Sequence, residues 1–304
     1  MSEHRFGGDW TAQKLEVLRQ YLTQYRVIFA KGPRAQYFKT IYVDAFAGSG
    51  ERIDSDHKIE MEALIGESDE PDRLAYKKGS ASIALELTNP FDQYVFIEKN
   101  AARAIELQTM IATRYASLAG RCTVAQEDAN DFLQRWSRQT DWDRTRAVVF
   151  LDPYGMVVEW KTIEAIATTK AIDLWILFPV GTGVNRLLTR GGRPPAEWAA
   201  RLTAIFGSNE WESRFYAPSP QGGLFDSVPA IVKDASFERI GQLFLERLRT
   251  VFPGVAPHAM PLENSKHNPL YWLCFAAGNP KGAGPAVRIA DHLLRPSAKP
   301  RGQR

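Results

Sequence analysis

Acidic side chains stand at or just past the ends of four consecutive predicted strands. They are Asp44, Glu98, Asp128 and Asp152. Because the carboxyl ends of the strands line one crevice in an open α/β sheet, we expect these carboxylates to face the same ligand. The alternative for any one of them is that it caps the helix that follows its strand. Taken together, the four acids favour a shared binding site.

The first of these strands breaks into small residues at positions 44–50, which read DAFAGSG. Glycine has no Cβ and tolerates positive φ, so such a turn lets the backbone approach a ligand closely. A dinucleotide site would carry a GxGxxG turn that opens a helix facing the pyrophosphate. Here an acid precedes the glycines and would oppose a phosphate. A cofactor without phosphates and with a positively charged sulfonium fits better, which indicates S-adenosylmethionine.

The glycine turn and the second strand predict the contacts with the amino-acid and ribose parts of this cofactor. The turn residues assigned to it are Asp44, Phe46, Gly48 and Gly50. Glu98 ends the second strand, where one carboxylate can accept hydrogen bonds from both ribose hydroxyls.

The third and fourth strands predict the remaining contacts. Asp128, with Ala129 beside it, ends the third strand, where a side-chain acceptor can bond the adenine amino group. Asp152, Pro153 and Tyr154 follow the most clearly buried strand and are predicted to lie beside the reacting group. We interpret these last three residues as the catalytic segment.

Strands alternate with helices along the first part of the chain, and this alternation must position the acids. The predicted strands are 40–46, 94–98, 122–125, 147–151, 173–179 and 270–276, and the predicted helices are 11–30, 83–87, 101–116, 132–136, 160–168, 236–250 and 286–294. Such an order predicts a doubly wound, mostly parallel α/β sheet with right-handed crossovers.

The rest of the chain is interpreted as additions to one domain that spans residues 1–304. We expect a surface insertion at about 51–90, a helical insertion at about 184–262 and a disordered basic tail at 295–304. Within the second insertion Arg186, Arg190 and Arg193 could follow a phosphate backbone, or they could belong to a solvated loop.

Composition excludes several classes of protein. The net charge of +3 permits nucleic-acid binding without demanding it, because a local basic groove can hide in a balanced total. Two cysteines without a CxxC or Cys/His cluster argue against a disulfide framework or a metal site. No apolar run approaches the roughly 20 residues of a membrane span. With a polar N-terminus, these features predict a cytoplasmic protein that does not enter a membrane.

The sequence resembles the class I S-adenosylmethionine-dependent methyltransferases and, among them, the three-Cys-motif partner (TcmP) family. The matching segments are 42–50, 96–98, 128–130, 150–155, 178–179 and 268–273. The resemblance covers nearly the whole chain and implies a seven-stranded Rossmann-like methyltransferase sheet. It also implies a partner protein that bears a three-cysteine motif, because the family is named for that partner.

Residues 152–155, which read DPYG, are similar to the [DNS]PP[YF] motif of enzymes that methylate exocyclic amino groups, especially adenine in DNA or RNA. The resemblance implies that Asp152 and the following main-chain carbonyl accept hydrogen bonds from the target amine. It also implies that Tyr154 stacks on an extruded base. The chain departs from the motif in having one proline, with Tyr154 moved forward and Gly155 in its place.

We therefore predict an S-adenosylmethionine-dependent methyltransferase that acts on an exocyclic amino group in nucleic acid, with adenine favoured and DNA or RNA left open. The alternative is a non-catalytic, methyltransferase-like accessory protein that works with a three-cysteine-motif partner. A third interpretation, a nicotinamide-dependent oxidoreductase, is disfavoured because the chain has no GxGxxG turn.

Overall fold

The computed structural model describes residues 9–48, 79–218, 231–264 and 266–295. Three parts of the sequence-based prediction lie outside these ranges. They are Gly50, the greater part of the insertion at 51–90, and the basic tail beyond residue 295.

The strands of the described residues form one large sheet and one small one. They are β1 Lys39–Asp44, β2 Gln93–Ile97, β3 Cys122–Ala125, β4 Thr145–Leu151, β5 Ile172–Phe178, β6 Tyr216–Pro218, β7 Ile231–Lys233, β8 Gly254–Val255, β9 Met260–Glu263 and β10 Pro269–Ala277. The large sheet has the order β3-β2-β1-β4-β5-β10-β8, with β9 also paired to β10. The small sheet is the β6–β7 hairpin.

The predicted fold class is confirmed. The chain has a doubly wound α/β sheet in which β1 to β5 are parallel and β10 runs antiparallel to β5. Seven strands follow one another across this Rossmann-like sheet, and β9 is an eighth strand that pairs with one end of β10.

Helices cover both faces of the large sheet. They are α1 Asp9–Lys31, α2 Ser80–Leu85, α3 Ala101–Arg114, α4 Ala129–Gln139, α5 Trp160–Thr168, α6 Asn185–Leu187, α7 Ala196–Phe206, α8 Glu210–Phe215, α9 Phe237–Val251 and α10 Ala283–Leu294. A π-helical turn, Val180–Val184, leads from β5 towards α6. No helix in the described ranges is long and apolar enough to cross a membrane.

Side chains of the central strands alternate between two hydrophobic cores, because successive residues of a strand point to opposite faces. On β1, Ile41 and Val43 enter the core that α9 closes with Leu243. Tyr42 enters the other core, which Leu18 of α1 helps to close. Burial on both faces explains why these strands read as continuous apolar runs.

Helix α1 crosses the second of these faces from one edge of the sheet to the other. Its buried side chains recur at spacings of three and four and are Lys14, Val17, Leu18, Tyr21, Leu22 and Tyr25. Near the amino edge of the sheet, the Tyr21 hydroxyl donates to Asp173 at 2.7 Å. Lys14 lies two turns earlier on the same stripe, so the helix delivers it to the carboxyl edge.

Candidate active site

Asp44 and Asp152 come together at the carboxyl edge of two neighbouring strands. In the β1–β4 register Asp44 lies opposite Phe150, so Asp152 is two residues further along β4. Each acid stands two positions after a strand residue that belongs to the core beneath α1. Asp44 follows Tyr42 in this way, and Asp152 follows Phe150. Both residues are buried. Two acids in one low-dielectric pocket repel each other, so the site needs a compensating cation.

Lys14 supplies that cation. Its Nζ donates to Asp152 Oδ2 at 2.6 Å, and the Lys14 side chain is only 1% exposed. A buried ammonium and a buried carboxylate each pay a large desolvation cost, which the pairing offsets. The sequence analysis missed Lys14, although a lysine at an apolar position of the helical stripe was a signal of such a contact.

Asp44 is buried without a full set of hydrogen-bond partners. Its Oδ1 accepts from the Phe46 backbone N–H at 3.4 Å, and Ser80 of α2 also hydrogen-bonds the carboxylate. Among the described residues, Asp44 Oδ2 and the neighbouring Tyr42 hydroxyl have no partner of acceptable geometry. Burial raises the pKa of Asp44 to about 7, and the charge of Asp152 adds to the shift.

Ser80 is the first residue of a short helix and contacts the site. The helix predicted at 83–87 begins at Ser80 and ends at Leu85, and its N-cap residue is Gly79. No side chain caps this helix. The Ser80 side chain hydrogen-bonds the Asp44 carboxylate, and this contact links α2 to the site.

The residues that directly follow the predicted catalytic segment 152–154 pack against β10 and the π-helical turn. Gly155 adopts a φ of +73°, a left-handed conformation that favours glycine. The Tyr271 hydroxyl of β10 hydrogen-bonds the Gly155 backbone and the Thr182 side chain, and its pKa is raised by burial. Met156 packs so closely on Gly183 that a Cβ there would meet its Cγ at 2.5 Å.

Gly48 lies against Glu98, as the cofactor hypothesis requires. A Cβ added at Gly48 would lie 2.7 Å from Glu98 Oε2 and 3.7 Å from Arg103 Cδ. The other Glu98 oxygen accepts from the Asn100 backbone N–H at 2.8 Å. Glycine therefore keeps open the space in front of this carboxylate. Arg103 Nε is buried beside it and has no hydrogen-bond partner among the described residues.

Asp128 caps α4, as the capping alternative predicted. Its side chain accepts from the Asn130 backbone N–H at 2.9 Å, and the exposed Lys99 ammonium lies 3.4 Å away. Burial alone would raise the pKa of Asp128, but the Asn130 and Lys99 contacts outweigh it and lower the pKa. Ala129 is buried as the first residue of the helix. The cap occupies one carboxylate oxygen, so capping and ligand binding are compatible.

The remaining predicted residues lie in the same region with different exposure. Pro153 is buried, whereas Tyr154 and Phe46 are partly exposed. Phe46 also packs against the core beneath α9. The structure thus places Asp44, Glu98 and the 152–154 segment along one edge of the sheet, as the sequence predicted.

The charge balance of the buried cluster suits a cationic ligand. With both carboxylates ionised, Asp44, Asp152 and Lys14 sum to one negative charge. Asp44 Oδ2 and the Tyr42 hydroxyl are adjacent, and neither atom has a hydrogen bond of good geometry among the described residues. Burying an acceptor without a hydrogen-bond partner costs free energy, and a bound positive group would reduce this cost. The residues present fit the aminoacyl and sulfonium end of S-adenosylmethionine.

A surface cleft of the described residues lies away from these acids. It has a volume of about 730 Å³ and includes Thr168, Lys170 and Pro253 in its lining. Thr168 ends α5 just before β5 begins, so the cleft belongs to the amino edge of the sheet. We assign the site from the convergent carboxylates, because the cleft offers no comparable arrangement of polar groups.

Comparisons with known proteins give distant likenesses only. No protein-family model matches the chain, and no curated protein sequence matches it. Among solved structures, protein LPL1258 from Legionella pneumophila is 16% identical, with a TM-score of 0.37 over 78% of this chain and 92% of that one. The yhhF protein from Escherichia coli, described as a candidate methyltransferase, is 17% identical, with a TM-score of 0.29 over 72% and 87%.

A third structure, described as a candidate S-adenosylmethionine-dependent methyltransferase from Listeria monocytogenes, is 9% identical, with a TM-score of 0.33 over 79% of this chain and 91% of that one. Likenesses this distant carry no argument about the chemistry of the site.

Proposed function

We propose that the chain is an S-adenosylmethionine-dependent methyltransferase whose target is an exocyclic amino group in nucleic acid, with adenine favoured. The observation that carries this proposal is the buried cluster of Asp44, Asp152 and Lys14. When Asp44 is ionised, the cluster holds one excess negative charge at the carboxyl edge of the sheet. Among the described residues, Asp44 Oδ2 has no hydrogen bond of good geometry.

The cofactor contacts follow from the positions of the acids. Asp44 would bind the amino group of the cofactor, Glu98 the ribose hydroxyls across the open space at Gly48, and Asp128 the adenine amino group. Phe46 and Ala129, and Gly50 outside the described residues, complete the proposed set. When bound, S-adenosylmethionine supplies an electrophilic methyl group.

Asp152 would position the target amine. The Asp152 carboxylate accepts a hydrogen bond from Lys14, and a carboxylate accepts hydrogen bonds and cannot donate them. A group held there must therefore carry N–H or O–H, which an exocyclic amine does. When the amine N–H groups donate hydrogen bonds to Asp152, the nitrogen lone pair points away from the carboxylate. Correct orientation of this lone pair supplies much of the rate of such a transfer.

Lys14 would act on the same step through Asp152. The ammonium, 2.6 Å from Asp152 Oδ2, holds the carboxylate in the position from which it orients the amine. Pro153 and Tyr154 would shape the pocket for the base, with Tyr154 stacking on it. The partial exposure of Tyr154 is compatible with that role.

Two measurements test the proposal. Isothermal calorimetry with S-adenosylmethionine should show binding, and no binding at millimolar cofactor would refute the enzyme. Transfer of tritiated methyl groups to DNA and RNA should then fall about 100-fold in Asp152→Ala, since orientation is lost. Asp143→Ala, on an exposed loop before β4, is the matched control. Equal transfer by the parent and Asp152→Ala would remove Asp152 from the mechanism.

The accessory-protein alternative is favoured by one observation. The Asp152 carboxylate already has an internal partner in Lys14, as a site without a substrate would need. In that case the chain, whose sequence resembles the TcmP family, would bind a three-cysteine-motif protein through another surface. Co-purification with such a partner, combined with no methyl transfer by either protein or by the complex, would support this alternative.

A further inference from the structure

An arginine-bearing loop begins directly beside the predicted catalytic segment. The π-helical turn Val180–Val184 contacts Met156 through Gly183 and Tyr271 through Thr182. Helix α6 follows without a break, so Arg186 lies two residues beyond this turn. The loop then carries Arg190 and Arg193 towards the β6–β7 hairpin.

The loop is firmly attached, which argues against a merely solvated segment. Lys233 of β7 donates from Nζ to the Asn185 backbone oxygen, to Asn185 Oδ1 and to the Leu188 backbone oxygen, at 2.9, 2.7 and 3.3 Å. The Lys233 N–H donates to the Arg190 carbonyl at 3.1 Å. The Gly192 N–H donates to the Ile231 carbonyl at 2.8 Å. These contacts fix the backbone that presents the arginines.

The three arginines differ in their partners. Arg193 forms an ion pair with Glu212 at 3.3 Å. Arg186 and Arg190 are exposed, and among the described residues no carboxylate lies within ion-pair distance of either guanidinium. Lys233 uses its three N–H donors on the loop itself, so it is an anchor and offers no donor to a ligand.

Within the described ranges, no carboxylate compensates the positive charges of Arg186 and Arg190. Desolvation lowers the pKa of Lys233, and the nearby charge of Arg190 lowers it further. Positive charges held close together on a fixed backbone repel each other, and a bound anion reduces this repulsion. Guanidinium groups match phosphate oxygens in geometry and bind them in pairs of hydrogen bonds. A chain of phosphates is therefore the ligand that this arrangement fits.

We propose that Arg186 and Arg190 bind successive phosphates of a single-stranded nucleic acid and thereby guide it to the Asp152 segment. This inference rests on the proposed function, since it concerns the target of the same site. It also separates the arginines that bind the strand from Arg193 and Lys233, whose contacts are internal.

The test measures strand binding without cofactor. Labelled single-stranded RNA and DNA oligonucleotides of about 12 nucleotides are titrated with the full chain between about 50 and 200 mM salt, with fluorescence anisotropy as the readout. Each lost phosphate contact should reduce the slope of log K against log salt by roughly 0.7. We expect the double variant Arg186→Ala/Arg190→Ala to lose about 1.4 from that slope.

Two further variants separate a phosphate contact from a general change in charge or folding. Arg193→Ala removes one positive charge from the same loop and should leave the slope unchanged. Arg186→Lys/Arg190→Lys should keep the slope and weaken binding moderately, because lysine retains the charge and loses the paired hydrogen bonds.

Each outcome decides one of the two proposals. A parent that binds no strand, an unchanged slope in the alanine double variant, or an equal loss in Arg193→Ala overturns this inference. Arginine-dependent binding without methyl transfer upholds it and counts against the proposed methyltransferase. Methyl transfer that is indifferent to both arginines upholds the enzyme and overturns the inference.

Discussion

Lys14 Nζ lies 2.6 Å from Asp152 Oδ2, although the two residues are 138 positions apart in the chain. The contact links the first helix to the end of the central strand β4. Through this contact α1 contributes a side chain to the site, in addition to packing against one face of the sheet. Because α1 is also held at the amino edge through Tyr21 and Asp173, the position of Lys14 is defined from both ends of the sheet.

Replacing Lys14 tests whether this pair serves stability, methyl transfer or both. Lys14→Met keeps the length of the side chain and leaves Asp152 buried without its cation, which should destabilise the fold by about 3–5 kcal/mol in urea unfolding. The double variant Lys14→Met/Asp152→Asn should recover most of that loss, because no unpaired charge remains. Methyl transfer should remain about 100-fold below that of the parent in the double variant, because the carboxylate that orients the amine is absent. Recovery of transfer would show that the charge pair has no role in positioning the amine.

Most of the central sheet could be predicted from the sequence. Long apolar runs such as the one before Asp152 are buried on both faces, and this pattern is unambiguous. The acids were located by the same runs, because each lies where a run ends. The ends of elements were less predictable. The strand predicted to reach residue 46 ends at Asp44, and the helix predicted from Phe132 begins at Ala129 because Asp128 caps it.

The contacts between distant segments could not be predicted. Lys14 lies in a helix whose apolar stripe was evident, but nothing local in the sequence identifies Asp152 as its partner. Lys233 likewise reaches Asn185 across 48 residues. Its strand is only three residues long and too short to give a periodic signal. Such pairs depend on tertiary packing, which the periodicity of a single segment does not encode.

Cofactor binding should depend on pH through Asp44. Since burial raises the pKa of Asp44 to about 7, part of the protein carries a neutral Asp44 below that pH, and a cationic ligand requires the ionised form. Affinity for S-adenosylmethionine should rise by up to about tenfold per pH unit towards pH 7 and then level off. Calorimetry from pH 5.5 to 8.5 checks this. Asp44→Asn should bind more weakly and without this rise; a rise of equal size in the variant would assign the titration elsewhere.

Gly48 offers a test of the space in front of Glu98. In Gly48→Ala the new Cβ would lie 2.7 Å from Glu98 Oε2, so the carboxylate must move. We expect cofactor affinity to fall about tenfold, which corresponds to about 1.4 kcal/mol. The matched control is Gly120→Ala, where no heavy atom lies within 4 Å of the added Cβ. Unchanged affinity in Gly48→Ala would remove Glu98 from the proposed ribose contact.

Asp128 can be tested for its two roles separately. Asparagine caps a helix about as well as aspartate, so Asp128→Asn should keep the stability of the parent, whereas Asp128→Ala should lose about 1 kcal/mol. Loss of the carboxylate should weaken cofactor binding several-fold in both variants, because an acceptor for the adenine amino group is altered or absent. If only Asp128→Ala changes binding, capping alone explains the residue.

The buried carboxyl group of Asp173 should make the free energy of unfolding depend on pH. Burial raises its pKa to about 7, although the hydrogen bond from Tyr21 opposes the shift. The unfolded chain releases this proton near pH 4 and the folded chain retains it to about pH 7. The folded state therefore binds more protons in that window, and the free energy of unfolding falls as pH rises through it. Above about pH 7 both states are ionised and this contribution is constant.

Asp173→Asn should remove this contribution, because the amide does not ionise and its oxygen can still accept from Tyr21. Urea unfolding between pH 4 and 8 should show the variant gaining stability relative to the parent as pH rises, by at most about 4 kcal/mol for a shift of this size. Asp44 titrates in the same direction, so a smaller pH dependence should remain in the variant. Asp143→Asn, at an exposed position, is the control. A parent and an Asp173→Asn variant whose stability difference is the same at pH 4 and pH 8 would contradict the raised pKa.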